Sequence, residues 1–485
     1  MTLIFKKSIA NRRGVILPIS DVPVNVKLPK HLKRRSNAEL CEVSELDVVR
    51  HFTELSRKNY GVDTNFYPLG SCTMKYNPKI TEKLASLEGF SSLHPLLPQL
   101  RHGGILTQGA LAVIYELERL LQEICGMDAF TLQPMAGAHG ELTAMMLIAA
   151  YHKKKGNTNK TEVLIPDEAH GTNPSSAAIA GYNIKSVPTN RDSGILDIES
   201  MEKMVNENTA AIMLTNPNTL GIFNSDIERI ARIAHKVDAQ LYYDGANLNA
   251  VLGKFRPGDA NFDAVHLNLH KTFATPHGGG GPGAGPVGVK KHLKRFLPIS
   301  RVIKRNDGTY SLDYNYPDTI GYIAPFYGNF GVCLKAYIYI LSLGKEGLVR
   351  VSENAVLNAN YILYSLKDHY DIPFLKPCMH ECVISAKKQI NYGVHAIDIA
   401  KALIDRGFHP PTIYFPLIVK EALMIEPTET ESKETIDGFI SAMKDIANKA
   451  EKNPEELRNA PCTTPVSRLD EKKAVKDMDL VFNGK

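Results

Sequence analysis

The sequence predicts an α/β protein whose large domain is built on a mainly parallel β-sheet. Segments with strand-like and helix-like periodicity alternate from about Thr131 to Gly288, as in successive βαβ units. Several of these strands are followed directly by polar or reactive side chains. Because ligands of open α/β sheets bind at the carboxyl ends of the strands, the same segment also predicts where the functional site lies.

Hydrophobic periodicity predicts the individual elements. Residues 108–125 carry apolar side chains at three- and four-residue spacing before Gly126, which predicts a helix that stops at this glycine. Further helices are predicted from Glu141 onwards and behind a capping box formed by Ser225 and Glu228. Strands are predicted at 129–134, 161–166, 182–187, 210–214, 239–243 and 265–269.

Composition along the chain predicts four parts. Residues 1–105 are irregular and rich in proline and basic residues, with one helical pattern near Glu39 to Asn59, and are expected to form an extended N-terminal arm. Residues 106–340 are expected to form the large domain. Residues 341–460 combine long helical patterns with short apolar runs and predict a smaller C-terminal α+β domain. The charged residues 461–485 form a tail.

Overall composition argues against nucleic-acid and membrane functions. The 485 residues include 57 Lys and Arg against 52 Asp and Glu, a net charge of +5, and no dense basic run with interleaved aromatic residues occurs. No stretch offers about 18 consecutive apolar residues, and the first residues show no export signal. We therefore expect a cytoplasmic protein that binds neither nucleic acid nor membrane.

The seven cysteines do not predict a disulfide framework, because their number is odd and they are scattered along a long chain. Cys378, His380 and Cys382 are close in sequence, but a second pair of ligands is missing, so no metal site is predicted. Cys72 lies in a turn-rich segment, residues 64–79, and is either a reactive thiol or a bystander.

Two reactive side chains end neighbouring predicted strands. Asp244 follows the apolar run 239–243, and Lys271 follows the alternating run 265–269. Lysine amines form Schiff bases with carbonyl cofactors such as pyridoxal phosphate, whose ring nitrogen is commonly kept protonated by an aspartate. Lys271 and Asp244 supply both parts. The alternative is that Asp244 caps a helix beginning at Gly245 and that Lys271 is a surface lysine.

A short turn before the helix predicted from Glu141 is a candidate phosphate site, because backbone N–H groups at a helix N-terminus bind anions. An ordinary strand-to-helix turn is the alternative. The turn consists of Gly137, Ala138, His139 and Gly140.

Two further residues follow predicted strands of the same sheet. His170 follows the strand 161–166, where an imidazole ring is placed to stack on a flat cofactor; a capping or surface histidine is the alternative. Asn218 follows the strand 210–214 and is placed to meet a ligand from the same edge. With Asp244 and Lys271, these residues predict one cluster of functional groups.

A glycine-rich run follows Lys271 and includes Gly278 to Gly281, Gly283 and Gly285. It is neither a Walker loop, since no G-K-[ST] follows, nor a dinucleotide fingerprint, since it does not follow a first strand. We expect it to permit close backbone approach to a cofactor or a partner. A flexible turn is the alternative.

Several segments together resemble the P-protein family of the glycine cleavage system, glycine dehydrogenase (decarboxylating), and in particular subunit 2 of its two-subunit form. The resemblance extends from about Tyr67 to the tail. The matching segments are P-L-G-S-C-T-M-K-Y-N-P-K, G-M-D-A-F-T-L-Q-P-M-A-G-A-H-G-E, D-E-A-H-G-T-N-P, T-N-P-N-T-L-G, D-G-A-N-L-N-A, N-L-H-K-T-F-A-T-P-H-G-G-G-G-P-G, A-P-F-Y-G-N-F-G and P-P-T-I-Y-F-P-L-I-V-K-E-A-L-M-I-E-P-T-E-T-E-S-K-E-T.

The resemblance implies a fold-type-I, pyridoxal-phosphate-dependent enzyme of the transferase-like class. Lys271 would carry the cofactor covalently and act as the catalytic residue. Asp244 would hold the ring nitrogen, and His170 would stack on the ring. His270 and the turn 137–140 would bind the phosphate, and Asn218 would lie near the ring hydroxyl.

The resemblance also implies the reaction and the partners. The activity would be that of glycine dehydrogenase (aminomethyl-transferring), an oxidoreductase that releases CO2 from glycine and passes the aminomethyl group to the lipoyl arm of H-protein. The chain would assemble with a P-protein subunit 1 as an α2β2 heterotetramer. Two alternatives remain open: another fold-type-I enzyme, such as an independent amino-acid decarboxylase or desulfurase, or a noncatalytic nucleotide-binding partner subunit.

Overall fold

The computed structural model describes residues 2–22, 28–36, 38, 40–100, 103–278 and 283–480. Three residues of the glycine-rich run, Gly279, Gly280 and Gly281, lie outside the described residues. The chain forms two compact units. One consists of Asn65–Arg468, and the other combines Met1–Thr64 with Leu469–Lys485.

A seven-stranded sheet forms the centre of the unit Asn65–Arg468. Its strand order is β1-β7-β6-β5-β4-β2-β3. Neighbouring strands are parallel throughout β6-β5-β4-β2-β3, and β7 alone runs antiparallel to its neighbours β6 and β1. The predicted α/β class with a mainly parallel sheet is therefore confirmed. The strands are β1 (Ala129–Thr131), β2 (Glu162–Pro166), β3 (Asn183–Val187), β4 (Thr209–Thr215), β5 (Gln240–Gly245), β6 (Ala264–Leu267) and β7 (Val287–Val289).

Helices cover both faces of this sheet, so its central strands are buried on both sides. In β5, Leu241 and Tyr243 enter one apolar cluster, whereas Tyr242 enters another on the opposite face. The helices of the chain are α1 (Glu45–Ser56), α2 (Lys79–Ala85), α3 (Glu88–Ser91), α4 (Gly103–Leu106), α5 (Gln108–Cys125), α6 (Gly137–Lys155), α7 (Thr172–Ile179), α8 (Ile198–Met204), α9 (Ile227–Lys236), α10 (Phe330–Leu366), α11 (Ala396–Asp405), α12 (Lys433–Lys452), α13 (Pro454–Asn459) and α14 (Glu471–Lys476).

The structure confirms the helix at 108–125 and its predicted end at Gly126. Gly126 has φ 70°, and a Cβ atom there would lie 2.8 Å from Asp259 Oδ1, so both conformation and space favour glycine. The predicted capping box of Ser225 and Glu228 is wrong. Helix α9 begins one residue later, with Asp226 at its N-cap and no side-chain cap.

A smaller sheet follows the large one in sequence. It has the order β10-β12-β11, and both of its strand pairs are antiparallel. Its strands are β10 (Cys382–Ser385), β11 (Thr412–Ile413) and β12 (Ala422–Ile425), and a separate hairpin is formed by β8 (Arg301–Lys304) and β9 (Tyr310–Asp313).

The small sheet packs with α11 and α12 in an apolar cluster that includes Leu423, Ile399 and Phe439. Helix α10 is interrupted at Gly344, which has φ 61°. This is where the helical pattern of the sequence changes.

The second unit contains α1 and α14. Helix α1 is shorter than the pattern near Glu39 to Asn59 predicts, and a capping box fixes its start: Asp47 N donates to Ser44 Oγ, and Ser44 N donates to an Asp47 carboxylate oxygen. Across the ranges that the structure describes, no helix is both long and apolar enough to cross a bilayer.

A buried ion pair in the large unit offers a stability test. Lys75 Nζ donates to Glu429 Oε1 at 2.6 Å and to Tyr339 Oη at 3.1 Å, in a site where both charged side chains are almost fully enclosed. Lys75→Met would leave the Glu429 carboxylate buried and unpaired, which we expect to destabilise the fold by about 3–5 kcal/mol. The exposed pair Lys254–Glu353 is the control, because we expect Lys254→Met to lower the free energy of unfolding by less than about 1 kcal/mol.

Chemical denaturation of both variants measures the difference. Equal midpoints for the two substitutions would contradict the assignment of Lys75 as a buried stabilising charge.

Candidate active site

A cleft opens at the carboxyl edge of the large sheet and brings several sequence-predicted residues together. Four loops of the large sheet, the start of α6 and two segments near the small sheet line it. The lining residues are Ser71, Gly137, Ala138, Glu141, His170, Thr172, Thr215, Pro217, Asn218, Thr219, Asp244, Ala246, Asn247, Asn268, Lys271, His380 and Glu381.

Asp244 and Lys271 reach this cleft from adjacent parallel strands. Asp244 is paired in register with His266, so the end of β5 lies beside β6, and Lys271 follows β6 after a short turn. No helix begins at Gly245, which is the last residue of β5. The alternative role of Asp244 as a helix cap is therefore wrong.

The carboxylate of Asp244 is buried and held by directed hydrogen bonds. Asn173 Nδ2 donates to Oδ2 at 2.9 Å, and Ala246 N donates to Oδ1 at 3.0 Å. Burial alone would raise the pKa of Asp244, but the nearby His266, the Asn173 amide and the Ala246 N–H together lower it. The cleft therefore contains a stable anion at the end of β5.

His266 and Tyr242 lie behind Asp244, and sequence reasoning did not single them out. His266 Nδ1 is 3.7 Å from Asp244 Oδ1 and also hydrogen bonds with the Tyr242 hydroxyl. Burial lowers the pKa of His266, although the nearby Asp244 opposes this shift. The alternation of residues 265–269 was the available signal, since it placed His266 on the face opposite Val265 and Leu267.

Lys271 is partly buried and presents a free amine to the cleft. In the part of the chain that the structure describes, its Nζ has no hydrogen bond or ion pair, whereas its backbone is fixed by a bond from Lys271 N to Asn268 O of 3.1 Å. A fixed backbone with an uncommitted amine suits a residue that forms a covalent bond with a ligand.

The segment 137–140 is the first turn of α6 rather than a turn before it, so the predicted start at Glu141 is wrong by four residues. The N-cap residue Ala136 provides no side-chain cap. Gly140 N donates to Ala136 O, while the N–H groups of Gly137, Ala138 and His139 precede the first helical hydrogen bonds. The helix therefore presents uncapped donors toward the cleft.

The glycines of this turn permit close packing. A Cβ atom on Gly137 would lie 2.4 Å from Asn268 Oδ1, and one on Gly140 would lie 2.7 Å from Gly285 O. A Cβ atom on Gly285 would in turn lie 2.0 Å from Ala136 O. Glycine at these positions lets the start of α6 approach the loop after β6 closely enough to form one wall.

His170 stands at the cleft with its Nδ1 atom hydrogen bonded to Thr172 Oγ1 at 2.7 Å. Thr172 in turn donates to Glu141 Oε1 at 2.8 Å. Burial and the nearby Lys271 lower the pKa of His170. A neutral ring fixed through one nitrogen is suited to stacking, and its role against a cofactor ring stays a prediction.

Asn218 lines the cleft, but its side chain is already used to shape its own loop. Its Oδ1 accepts from Leu220 N and Ile222 N at 3.1 and 3.0 Å, and its Nδ2 donates to Gly194 O at 2.6 Å. The predicted contact with a ring hydroxyl is not tested by this arrangement.

His139 and His270 are not among the described residues that line the cleft. His139 Nδ1 accepts from Met135 N at 3.2 Å, which stabilises the start of α6. His270 packs edge-on against His277, with ring centroids 5.1 Å apart, and burial lowers the pKa of His270 to about 3. Phosphate binding by these two residues stays a prediction.

The opposite wall was missed by sequence reasoning. Glu381 and His380 precede β10, Glu426 follows β12, and the pairing of Cys382 with Ile425 places them together at the end of the small sheet. Ser71 N donates to Glu381 Oε2 at 2.8 Å. These residues lie far from Lys271 in sequence, and the sequence pattern assigned no role at the cleft to any of them.

Two matches to models of known protein families show to which family the chain belongs. Residues 17–309 match Glycine cleavage system P-protein, and residues 351–462 match Glycine dehydrogenase, C-terminal domain.

The chain belongs to the glycine cleavage system P-protein family.

Relatives of similar length support this membership. The chain is 56% identical over 479 residues to the probable glycine dehydrogenase (decarboxylating) subunit 2 of Listeria innocua, covering 98% of this chain and 97% of that protein. It is 57% identical over 484 residues to the protein of the same name from Staphylococcus epidermidis, covering 99% and 95%. The resemblance expected from the sequence motifs is thus confirmed.

A solved structure shows the shared fold. The crystal structure of a glycine decarboxylase (P-protein) of the glycine cleavage system, in inhibitor-bound form, has a TM-score of 0.70 and 20% identity to this chain, covering 86% of this chain and 93% of that one. The fold-type-I class predicted from the resemblance is confirmed.

Pyridoxal phosphate is the cofactor of P-proteins, and the residues of the cleft fit it. Lys271 offers the free amine that binds an aldehyde. Asp244 is an anion suited to a protonated ring nitrogen, and the uncapped N–H groups of Gly137 and Ala138 suit a phosphate. Asn268 Oδ1, a buried acceptor without a partner in the described residues, lies among them.

No cysteine is among the described residues that line this P-protein cleft. Cys378 and Cys382 are buried in the apolar cluster of the small sheet, whereas His380 lines the cleft. Burial raises the pKa of the Cys72 thiol, which disfavours a reactive thiolate at neutral pH. All seven cysteines are free thiols.

Proposed function

We infer that this P-protein chain decarboxylates glycine, releases CO2 and transfers the aminomethyl group to the lipoyl arm of an H-protein. The supporting observation is the convergence of Asp244 and Lys271 in one cleft of a chain that is 56% identical to a glycine dehydrogenase (decarboxylating) subunit 2 over nearly its full length. The family assignment supplies the reaction, and the cleft supplies groups suited to it.

The bound cofactor supplies a carbonyl for Schiff-base formation and a ring that accepts electrons. The amine of Lys271 would hold the cofactor covalently. Asp244 would keep a proton at the ring nitrogen, and Asn173 fixes the carboxylate of Asp244. The first turn of α6 would bind the phosphate, and His170 would stack on the ring.

The walls of the cleft also have to limit water, because protonation of the reacting carbon would yield methylamine instead of a transferred aminomethyl group. The segment from Tyr67 to Pro78 supplies part of this wall. Thr73 N and Thr73 Oγ1 donate to Glu426, and Asn77 Nδ2 donates to Ala274 O at 2.9 Å. This segment is therefore tied to both sheets around the cleft.

The partners are glycine, H-protein and a P-protein subunit 1, in an α2β2 heterotetramer. The designation of the relatives as subunit 2 supports a partner subunit. Apolar side chains in the N-terminal arm also support one, since Ile16 is 85% exposed and Ile19 is 97% exposed, and the neighbouring Val15 and Leu17 are exposed as well. Such a run is stabilised when a partner covers it.

A cytoplasmic location is proposed with the same function. The seven free thiols support a reducing compartment. Fractionation of cells that produce a tagged chain is the direct measurement.

The reaction is tested by exchange of labelled bicarbonate into glycine. We expect exchange when the chain is combined with subunit 1 and lipoylated H-protein, and much weaker exchange when H-protein lacks its lipoyl group. Exchange that is independent of both partners would instead indicate an independent decarboxylase. Colourless protein that binds no pyridoxal phosphate would favour a noncatalytic subunit.

A further inference from the structure

The cleft has no obvious cation for the carboxylate of an amino acid. Among its described lining residues, Lys271 is the only lysine and there is no arginine. Under the proposed function, on which this inference rests, the amine of Lys271 is committed to the cofactor. Within the described part of this chain, neutral hydrogen-bond donors are therefore left to receive the substrate carboxylate.

Three side chains at the end of the small sheet form a buried polar cluster beside the cleft. One ligand-type atom from each of His380, Glu381 and Glu426 lies within 4.8 Å of the others. His380 and Glu381 line the cleft directly, and Glu426 lies next to Glu381 at the end of the neighbouring strand.

Hydrogen bonding distinguishes the two carboxyl groups. Glu426 accepts from Thr73 N at 2.9 Å, from Thr73 Oγ1 at 2.7 Å and from Asn247 Nδ2 at 2.7 Å. Glu381 accepts only from Ser71 N among the hydrogen bonds of the described residues. Donors stabilise an ionised carboxylate, so Glu426 is the better site for the negative charge and Glu381 for the proton.

The electrostatic surroundings agree with this division. Burial and the neighbouring Glu426 raise the pKa of Glu381 well above its usual value, which favours the neutral form of its carboxyl group. Burial also raises the pKa of Glu426, although its donors oppose the rise. The titratable groups that face Glu381 are Glu426, Lys271, Cys72, Cys378 and His380.

His380 gives a second, independent indication of a ligand. The residue is only 3% exposed, and its Nδ1 atom has no hydrogen-bond partner among the described residues, while Nε2 lies 3.7 Å from Glu381 Oε1. Burial lowers the pKa of His380 to about 3, so the ring is neutral and carries one N–H donor. A buried polar atom without a hydrogen-bond partner costs free energy, and at a cleft a bound ligand can supply that partner.

We propose that Glu381 in its neutral form, with His380 beside it, receives the carboxylate of the amino-acid substrate, and that Glu426 is the ionised partner of Glu381. A neutral donor orients the carboxylate without the strong ground-state stabilisation that an arginine would give. A contact that binds the carboxylate tightly before it leaves would raise the barrier to its loss as CO2, because only interactions that are stronger in the transition state accelerate the reaction. A weaker, neutral contact raises this barrier less.

A metal ion at the same three residues is a different use of the cluster, and the contacts disfavour it. Both oxygens of Glu426 already accept hydrogen bonds, which leaves fewer free ligand atoms for an ion. Metal analysis of the purified protein distinguishes the two: stoichiometric metal lost on substitution of Glu381 would overturn the proposal.

The experiment compares binding of glycine and of methylamine to the cofactor-loaded assembly with its partner subunit, followed by the absorption change of the cofactor. Methylamine carries the amine without the carboxylate. We expect Glu381→Leu to weaken glycine binding by about 10-fold or more and to leave methylamine binding unchanged. Glu381→Gln keeps a neutral donor and should bind glycine within about 3-fold of the wild type.

The pH profile gives a further readout. In the wild type, glycine affinity should fall as pH rises through the raised pKa of Glu381, because the ionised carboxylate repels the substrate. Glu381→Gln should remove this dependence. Exposed Glu346→Gln is the matched control and should retain it.

The outcomes separate this inference from the proposed function. If glycine causes no absorption change in the wild type, the proposed function fails. If the wild type responds but Glu381→Leu binds glycine normally, or loses glycine and methylamine equally, only the carboxylate assignment is overturned.

Discussion

Replacing Lys271 by alanine is expected to abolish the Schiff base to pyridoxal phosphate and to lower glycine–bicarbonate exchange by at least about 10^3-fold, as for other removals of a covalent catalytic group. Lys271 is the only lysine among the described residues of the cleft, so no neighbouring amine there can replace it. Visible absorption of the purified protein, and borohydride trapping followed by peptide mapping, measure the loss of the covalent link.

The matched control is Lys291→Ala, which removes an exposed lysine outside the cleft. This variant should keep wild-type absorption and exchange. Retained colour and turnover in Lys271→Ala would show that another residue carries the cofactor and would refute the assignment.

Local sequence patterns were sufficient to place Asp244 and Lys271. Alternation in residues 265–269 predicted strand β6, and both side chains follow buried strands, so the parallel topology brings them to one edge. The α/β class followed from the same periodicity. These properties depend on near neighbours in sequence, which is why they were predictable.

The start of α6 was placed too late because glycines disfavour helix interiors. In the structure, Gly137 and Gly140 belong to the helix, and glycine is required there because a Cβ atom at either position would collide with Asn268 or Gly285. Packing between elements distant in sequence decided this boundary over local propensity. The same applies to Glu381, whose place at the cleft depends on the pairing of β10 with β12.

The pKa values of the carboxyl groups at this cleft are shifted in different directions although all of these groups are buried. Asp244 has a lowered pKa because donors and His266 outweigh its burial, whereas burial and the nearby Asp244 raise the pKa of Glu141 to about 7. Burial likewise raises the pKa of Glu381. Hydrogen-bond partners and His266 therefore favour negative charge at Asp244, where a cationic ring nitrogen has to be stabilised.

Asp244→Asn tests this concentration of charge. The amide keeps the shape of the side chain but removes the anion, so the ring nitrogen loses the partner that keeps it protonated. We expect exchange to fall by about 10^2–10^3-fold, the cost typical of removing one directed electrostatic stabiliser. The cofactor should remain attached to Lys271, with its absorption shifted because the ring nitrogen is neutral.

The pH dependence follows from the lowered pKa of Asp244. Its carboxylate stays ionised down to below the usual aspartate range, so its contribution in the wild type is lost only as pH falls through that lowered value. Exposed Asp259→Asn is the control and should leave exchange unchanged. Wild-type exchange in Asp244→Asn, with the cofactor bound, would mean that the ring nitrogen is held by a different group.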